Sequence, residues 1–457
     1  MITGSLKEVA RDLQARLVGV DRAFSGVTTD SRVVRSGQLY VALKGDRFDG
    51  HEYAGDAVNA GAVGCVVDHE CEGGFSQVLV DDTRLALGSL ARQWRSRFVI
   101  PVIGVTGSNG KTTVKEMIAS VLGQRKKVLA TRGNLNNDIG LPLTLFNLSA
   151  DHQVAVVEMG ANHPGEIDYL TSIAKPDVAV LTNAGPAHLE GFGSLEGVAR
   201  AKGEMFARLS AKGTAIINRD DDFFDLWKDL AAGKNVVTFG LDASADFHAR
   251  REPSSRMVGE KFTLCTPVGE APVRLALAGV HNTRNALAAA AACFAVGVEL
   301  GDIVAGLEQV EPVSGRLQFN RVASGALICD DTYNANPLSL KAAMETLADM
   351  PGMPWLVLGD MGELGPDAER LHRESGALAR KLGVQRLFGF GPLCAFAVEA
   401  FGEGGRHFTD LDSLVKTLLA GIGPEHCVLV KGSRAMRMER VVQALTDSAD
   451  NSLKTGN

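Results

Sequence analysis

The chain has 457 residues, too many for one compact core and enough for two to four domains of about 100–200 residues; three is the working number. Apolar residues make up 45% and charged residues 22%, an ordinary globular composition that excludes a largely disordered chain. With 47 Lys and Arg against 54 Asp and Glu, a formal charge of -7 and no basic run, the sequence argues against a nucleic-acid partner.

The opening "MITGSLKEVARDLQARL" carries charges inside its apolar pattern, which predicts an amphipathic helix rather than a signal peptide. No other stretch approaches the ~18 apolar residues of a membrane span, so a cytoplasmic protein without membrane insertion is expected, and a monomer. Cysteines 65, 71, 265, 293, 329, 394 and 427 form no C-x-x-C pair; their odd count and scatter suit a reducing compartment, where they serve as small buried hydrophobes.

The first ~84 residues hold short strand-like runs, "GQLYVAL" and "GCVVD", and a loop "GDRFDGHEY", which predict a small α/β unit over residues 1–84. "TRLALGSLARQWRSRF" has helical spacing and feeds the buried strand "VIPVIGVTG". Helical "VKEMIASVLGQR", strands "QVAVVEMG" and "PDVAVLTN", and helical "SLEGVARAKGEMFARL" then alternate, which predicts a mostly parallel sheet covered by helices. Residues 245–278 interrupt with β-rich pieces, "EKFTLCTPV" and "VRLALAG", before the Ala-rich helix "HNTRNALAAAAACFAVGV". The Pro, Ser and Gly of "EQVEPVSGR" mark a boundary near 313, giving a central unit 85–313 and a C-terminal unit 314–457. In the latter, strands "GALICDD", "PWLVLGD" and "CVLVKGS" each precede a helical pattern and end in a polar cluster, where an open parallel sheet places ligands. The tail "TDSADNSLKTGN" is expected to fray.

The chemistry centres on "GVTGSNGKTT" at 104–113. A phosphate loop aims backbone N–H groups at an anion from a helix N-terminus, adds a Lys point charge, and presents a hydroxyl to Mg²⁺. Here Gly107 and Gly110 free the turn, Ser108, Asn109 and Thr113 complete it, and Lys111 and Thr112 fall at the phosphate and metal positions. The common form of this loop has a glycine where this chain has Val105. A loop lacking that glycine, T-G-x-x-G-K-T, resembles that of the Mur ligases and folylpolyglutamate synthases, ATP-dependent enzymes that make amide bonds.

Further stretches carry the resemblance to the Mur ligases: "VTTDSR", "GNLNNDIGLPLTL", "EMGANHPGEI", "TNAGPAHLEGFGS", "HNTRNALAA", "DDTYNANP" and "LGDMGELG". They run through all three expected units in the family's order. "TYNANP" and "GDMGELG" resemble the branch that joins D-alanyl-D-alanine to UDP-N-acetylmuramoyl-tripeptide; the sister that adds the third residue carries a D-N-P-R motif absent here. The implied fold is three α/β domains: a small UDP-substrate domain, a central ATP-binding P-loop domain with a parallel sheet, and a C-terminal Rossmann-like domain that closes on ATP and binds the dipeptide. The implied cofactors are ATP and Mg²⁺. The implied reaction phosphorylates the tripeptide's terminal carboxylate, and the amine then attacks the acyl phosphate. A sister ligase adding another amino acid and a P-loop small-molecule kinase are the alternatives.

By this resemblance Glu158 and His188 hold metal; the competing roles are a surface or capping Glu and a loop His bonded to backbone. In the helix predicted over 195–209, Lys202 falls seven residues from both Leu195 and Leu209, on the apolar stripe of Val198, Met205 and Phe206. Burial favours the neutral amine, which can take up CO₂; the family's matching lysine is carbamylated and reaches a second Mg²⁺, whereas a snorkelling lysine is the alternative. Lys111, Lys202 and His188 are thus the implied catalytic residues. Asn282 and Asn285 match the adenine and ribose side, Arg316 the phosphates, and Asp331, Asn334 and Asn336 complete the nucleotide site, with capping and turn roles as the alternatives. Ser31 and Arg32 match a uridine-diphosphate contact, and Asn134, Asn136 and Asn137 the muramoyl-peptide site, against ordinary turn chemistry.

Overall fold

The computed structural model describes residues 1–251 and 259–454, with side chains to residue 447. The first residues differ from the single helix expected. They form a strand Thr3–Ser5, a short helix Leu6–Asp12 and a strand Arg16–Val18. Ser5 and Glu8 make a reciprocal capping box that starts the helix, and Gln14, at φ 54, turns the chain out of it. A five-stranded sheet follows, Arg16–Val18, Gln77–Leu79, Gly64–Val67, Leu39–Val41 and Val27–Thr28 in spatial order.

The central sheet has six parallel strands in the order Asn235–Phe239, Thr214–Asn218, Val178–Leu181, Val102–Thr106, Val154–Glu158, Val128–Ala130. Its strands are apolar on both faces, because helices cover both. Val102, Ala155, Val157, Ala179 and Leu181 point into one core, which continues to Ile2, Leu6, Leu39 and Val66 of the N-terminal region. Ile103, Val105, Val154, Val156 and Val180 point into the other, against the Ala-rich helix Val280–Ala295. The run of alanines lets that helix lie close to the sheet and to the helix Lys111–Gly123. The β-rich interruption is a separate antiparallel sheet, His248–Arg251, Glu260–Thr266 and Gly269–Leu275.

The C-terminal sheet also has six strands, Gln318–Arg321, Leu327–Asp331, His426–Lys431, Met353–Gly359, Arg386–Phe390 and Gly405–Phe408, the first antiparallel and the rest parallel. The three apolar strands read from sequence are its centre. The outer three contain Arg, Asn, Gly or His, and carry no apolar run to betray them. The tail is a correction: the last helix runs Glu439–Lys454, through most of the stretch expected to fray, and residues 455–457 lie outside the described ones. No helix among the described residues is long and apolar enough to cross a membrane.

Candidate active site

In the central sheet the chain enters at Val102–Thr106 and then places Val154–Glu158 on one side and Val178–Leu181 on the other. The carboxyl ends of these three strands therefore splay apart, leaving a crevice where an α/β sheet binds its ligand. The phosphate loop fills the middle of it. Gly107 sits at φ 146, and a Cβ there would come within 1.9 Å of the Thr182 hydroxyl. Gly110, at φ 83, heads the helix Lys111–Gly123, and its missing side chain leaves room for Asn285.

The loop is braced by a residue that sequence reasoning passed over. Asn183 accepts the Ser108 N–H through its carbonyl (2.9 Å) and the Asn109 N–H through its side chain (2.9 Å), and its amide donates back to the Asn109 carbonyl (3.1 Å). Ser108 Oγ and the backbone of Gly185 exchange bonds of 3.1 and 2.9 Å. Lys111 folds over the loop, donating to the carbonyls of Gly107 (2.8 Å) and Ser108 (3.3 Å). Thr113 is buried in the first helical turn.

Beside the loop, Glu158 ends its strand with a buried carboxylate. It accepts from Thr112 Oγ1 at 2.8 Å and from Asn136 Nδ2 at 2.7 Å, and its N–H donates to Thr131 Oγ1 at 2.9 Å. A hydroxyl and a carboxylate held this close are hard oxygen donors of the kind Mg²⁺ takes. Lys202 is only 1% exposed, with its ammonium 5.5 Å from the Phe192 ring, and no hydrogen bond or ion pair reaches it among the described residues. Burial, then repulsion from Lys111, push its pKa well below the ordinary lysine value, against the attraction of Glu166 and Glu204. Burial also lowers Lys111, which Glu158 partly restores. Leu195 is a correction to the apolar stripe: it is 38% exposed and lines the cleft, because the helix Leu195–Arg208 begins at the cleft's rim and buries its stripe only from Val198 onward.

The opposite wall comes from the C-terminal sheet. Arg316 donates to Thr112 Oγ1 at 3.0 Å, and its guanidinium lies 4.2 Å from the Tyr333 ring centre, which fixes its direction. Asn336 caps the helix Pro337–Asp349 and exchanges amide bonds of 2.8 and 3.4 Å with Asn109 of the loop. His188, in a left-handed turn at φ 55, meets the Glu363 carboxylate, which this contact holds below the usual range. Asp331 pairs with Lys431, which also donates to the Asn334 carbonyl at 2.9 Å; burial still raises the Asp331 pKa.

Asn282 and Asn285 lie one turn apart, joined by a 3.0 Å side-chain bond. Nearby, Asp221 accepts the N–H groups of Ala184 (3.0 Å) and Phe223 (3.1 Å), and burial raises its pKa. Burial, with Lys431 and Arg284, lowers His281 to about 4. Apart from Gly107 and the buried Lys202, the predicted residues described above line one cleft of about 1070 Å³, together with Asn134 and Asn137. Asn137 also holds the turn into the helix Gly140–Leu145, accepting the Gly140 N–H at 2.8 Å. Ser31 and Arg32 are not among the residues lining it: Arg32 is exposed and forks onto Asp30 at 2.9 and 2.8 Å. Asn183, Asp221, Tyr333, Glu363 and Lys431 are the site residues that sequence reasoning missed. Asn183, Tyr333 and Glu363 lay inside the quoted stretches "TNAGPAHLEGFGS", "DDTYNANP" and "LGDMGELG", and Lys431 at the polar end of "CVLVKGS", without being singled out; Asp221 carried no signal.

Residues 105–293 match the Mur ligase middle domain, residues 315–434 the Mur ligase glutamate ligase domain, and residues 23–95 the Mur ligase family catalytic domain. The chain belongs to the Mur ligase family. It is 43% identical over 451 residues, 98% of this chain and 99% of its relative, to the "UDP-N-acetylmuramoyl-tripeptide--D-alanyl-D-alanine ligase" of Escherichia coli strain K12. MurF from Acinetobacter baumannii is similar in structure, with a TM-score of 0.94 and 37% identity over 98% of this chain and 99% of that one. MurF ligase from Thermotoga maritima in complex with ADP has a TM-score of 0.86 and 30% identity, over 93% and 98%.

Proposed function

We propose that this Mur ligase joins D-alanyl-D-alanine to UDP-N-acetylmuramoyl-tripeptide at the expense of ATP. The observation that carries the reading is the contact of Thr112 and Glu158 at the strand switch point, flanked by Lys111 and the buried Lys202, in a chain collinear with ligases of that name. ATP lies with its phosphates on the loop 107–112 and its base toward Asn282 and Asn285. The tripeptide's terminal carboxylate approaches from the side of Asn136, takes the γ-phosphoryl group, and becomes an acyl phosphate. The dipeptide's amine attacks that carbonyl, and phosphate leaves from the tetrahedral intermediate.

Thr112, Glu158 and His188 would hold Mg²⁺, with Lys202 as its carbamate, and the bound ion would neutralise charge on the transferring phosphoryl group. Lys111 and Arg316 supply cations that the chain itself contributes to the same charge. Arg316 and Asn336 reach the loop from beyond residue 313, so the nucleotide site is complete only when the C-terminal region is docked. Residues 1–84 are assigned to the UDP moiety, with Ser31 and Arg32 as its contacts.

The decisive experiment incubates purified protein with ATP, Mg²⁺, UDP-N-acetylmuramoyl-tripeptide and D-alanyl-D-alanine, and measures product mass. The expected result is gain of the dipeptide minus water, with ADP release that requires both substrates. ADP release without the amine would instead mark a kinase.

A further inference from the structure

Two non-glycine residues in left-handed backbone face each other across the boundary between the central and C-terminal sheets. His188 stands at φ 55, at the head of the short helix Leu189–Phe192, and Glu363 at φ 59, in the loop after the strand Met353–Gly359. Such backbone is costly for a residue with a Cβ and persists only where the surroundings hold it. On the C-terminal side, Met361 and Leu364 are buried in the core and the Met361 N–H donates to His372 Nε2 at 3.0 Å, while Glu363 is exposed. On the central side, Leu189 packs against both cores, and a Cβ on Gly365 would lie 3.9 Å from Glu190 Cα, so the loop is seated on the helix.

This seating brings Glu363 Oε2 into ion-pair contact with His188 Nδ1. That nitrogen is buried, and no hydrogen bond from any other described residue reaches it. A buried ring nitrogen left unpaired is costly, so the carboxylate is the group that satisfies it. An imidazole whose Nδ1–H faces a carboxylate keeps its proton there, holds its ring in one orientation, and has its Nε2 lone pair to offer. His188 lines the same cleft as Lys111, Thr112 and Glu158, which makes Nε2 the atom it can turn to a cation there.

We propose that Glu363 is a positioning residue of the metal centre: it accepts the Nδ1–H of His188 and so presents Nε2 to the divalent cation, which makes cation binding depend on the docking of residues 361–364. This rests on His188 as a Mg²⁺ ligand in the ligase reading above. Thr112 and Glu158 both belong to the central sheet, whereas the orientation of His188 is set from the C-terminal one. Arg316 and Asn336 bring that dependence to the nucleotide, and Glu363 brings it to the cation. The coupling is reciprocal, so the cation also favours the docked loop.

The test measures Mn²⁺, standing in for Mg²⁺, on the full chain by the loss of its free-ion electron paramagnetic resonance signal. Glu363→Ala is expected to weaken Mn²⁺ binding about 10–100-fold, the scale of losing the carboxylate behind a metal-bound imidazole. Glu363→Gln, whose amide oxygen still accepts an N–H, is expected to stay within about threefold of wild type. In a His188→Ala background, Glu363→Ala is expected to have no further effect. Glu363→Ser, too short to reach His188, makes the same comparison should Glu363→Ala melt early. Mn²⁺ is also expected to slow amide hydrogen exchange at residues 361–364 in wild type and not in Glu363→Ala. The positioning role is overturned if the wild type binds no Mn²⁺, if Glu363→Ala leaves binding unchanged or tightens it, if its effect persists without His188, or if exchange slows equally in both. Dipeptide ligation by the wild type alongside any of these results leaves the ligase standing; no ligation overturns both readings.

Discussion

Lys202 offers the sharpest separation of stability from function in this protein. The residue is 1% exposed, with its amine over the Phe192 ring, and among the described residues no carboxylate or hydroxyl is bonded to it. Replacing a buried unpaired ion by an apolar side chain of similar length removes a desolvation penalty, so Lys202→Met is expected to raise stability by about 1–3 kcal/mol. For a domain of this size that is a rise in Tm of roughly 2–4 °C per kcal/mol, read calorimetrically on the transition that contains the central sheet. The pH dependence follows with a definite sign. The folded pKa is depressed, so between that value and the unfolded 10.5 the unfolded chain binds one more proton. Stability therefore rises with pH across that window, by about 1.4 kcal/mol per unit, and Lys202→Met is expected to lose that increment. The same variant should lose ligation by at least about 10²–10³-fold, the scale of removing one transition-state electrostatic partner. If the amine takes up CO₂, bicarbonate should raise the wild-type Tm and leave that of Lys202→Met unchanged. A variant that is destabilised would refute the burial argument, and one that keeps full activity would refute the catalytic assignment.

Gly107→Ala should destabilise by at least about 2 kcal/mol in a denaturant melt and abolish nucleotide binding, because φ 146 and a 1.9 Å approach to the Thr182 hydroxyl leave no room for a methyl group. Asn109→Ala and Asn336→Ala should both raise the KM for ATP. Only Asn336→Ala should also lower stability, by about 1 kcal/mol, since Asn336 alone caps a helix; equal melting curves would contradict that division. His281, at about 4 when folded against 6.5 free, is neutral in the fold, so its contribution is full above pH 6.5 and falls as pH drops toward 4. Removing it with His281→Gln should flatten the acid limb of the stability profile by up to about 3 kcal/mol, from ~1.4 per pH unit, as read by urea melts at pH 4.5 and 7.

Much of the architecture was legible in the chain because burial on both faces writes itself as uninterrupted apolar runs. "VIPVIGVTG", "QVAVVEMG" and "PDVAVLTN" could be placed as buried strands of a mostly parallel sheet for that reason. Edge strands such as Gly405–Phe408, half-covered and carrying Arg and His, left no such trace. The opening helix was read too long because periodicity extends across a turn that only backbone geometry at Gln14 reveals. Of the site, the phosphate loop and Lys202 could be read directly, one from glycine spacing and the other from a charge on an apolar stripe. Asn183 and Glu363 could be reached only through the stretches that contain them, and Asp221 not at all, since each is a polar residue in a loop whose own residue type resembles turn chemistry.

The sequence by itself determined the alternation of strands and helices, the loop at Gly107–Thr112 and the chemistry its lysine and hydroxyl can perform, all of which are local properties of spacing and residue type. Only the tertiary structure decided which loops share the crevice. The order in which parallel strands assemble brings Glu158 to Thr112 across 46 residues, and the docking of the C-terminal sheet brings Arg316 to the same hydroxyl across 204. It also set the Tyr169 hydroxyl against Gly88. Contacts at such separations depend on how sheets and helices pack in space, and no local pattern in the chain records them.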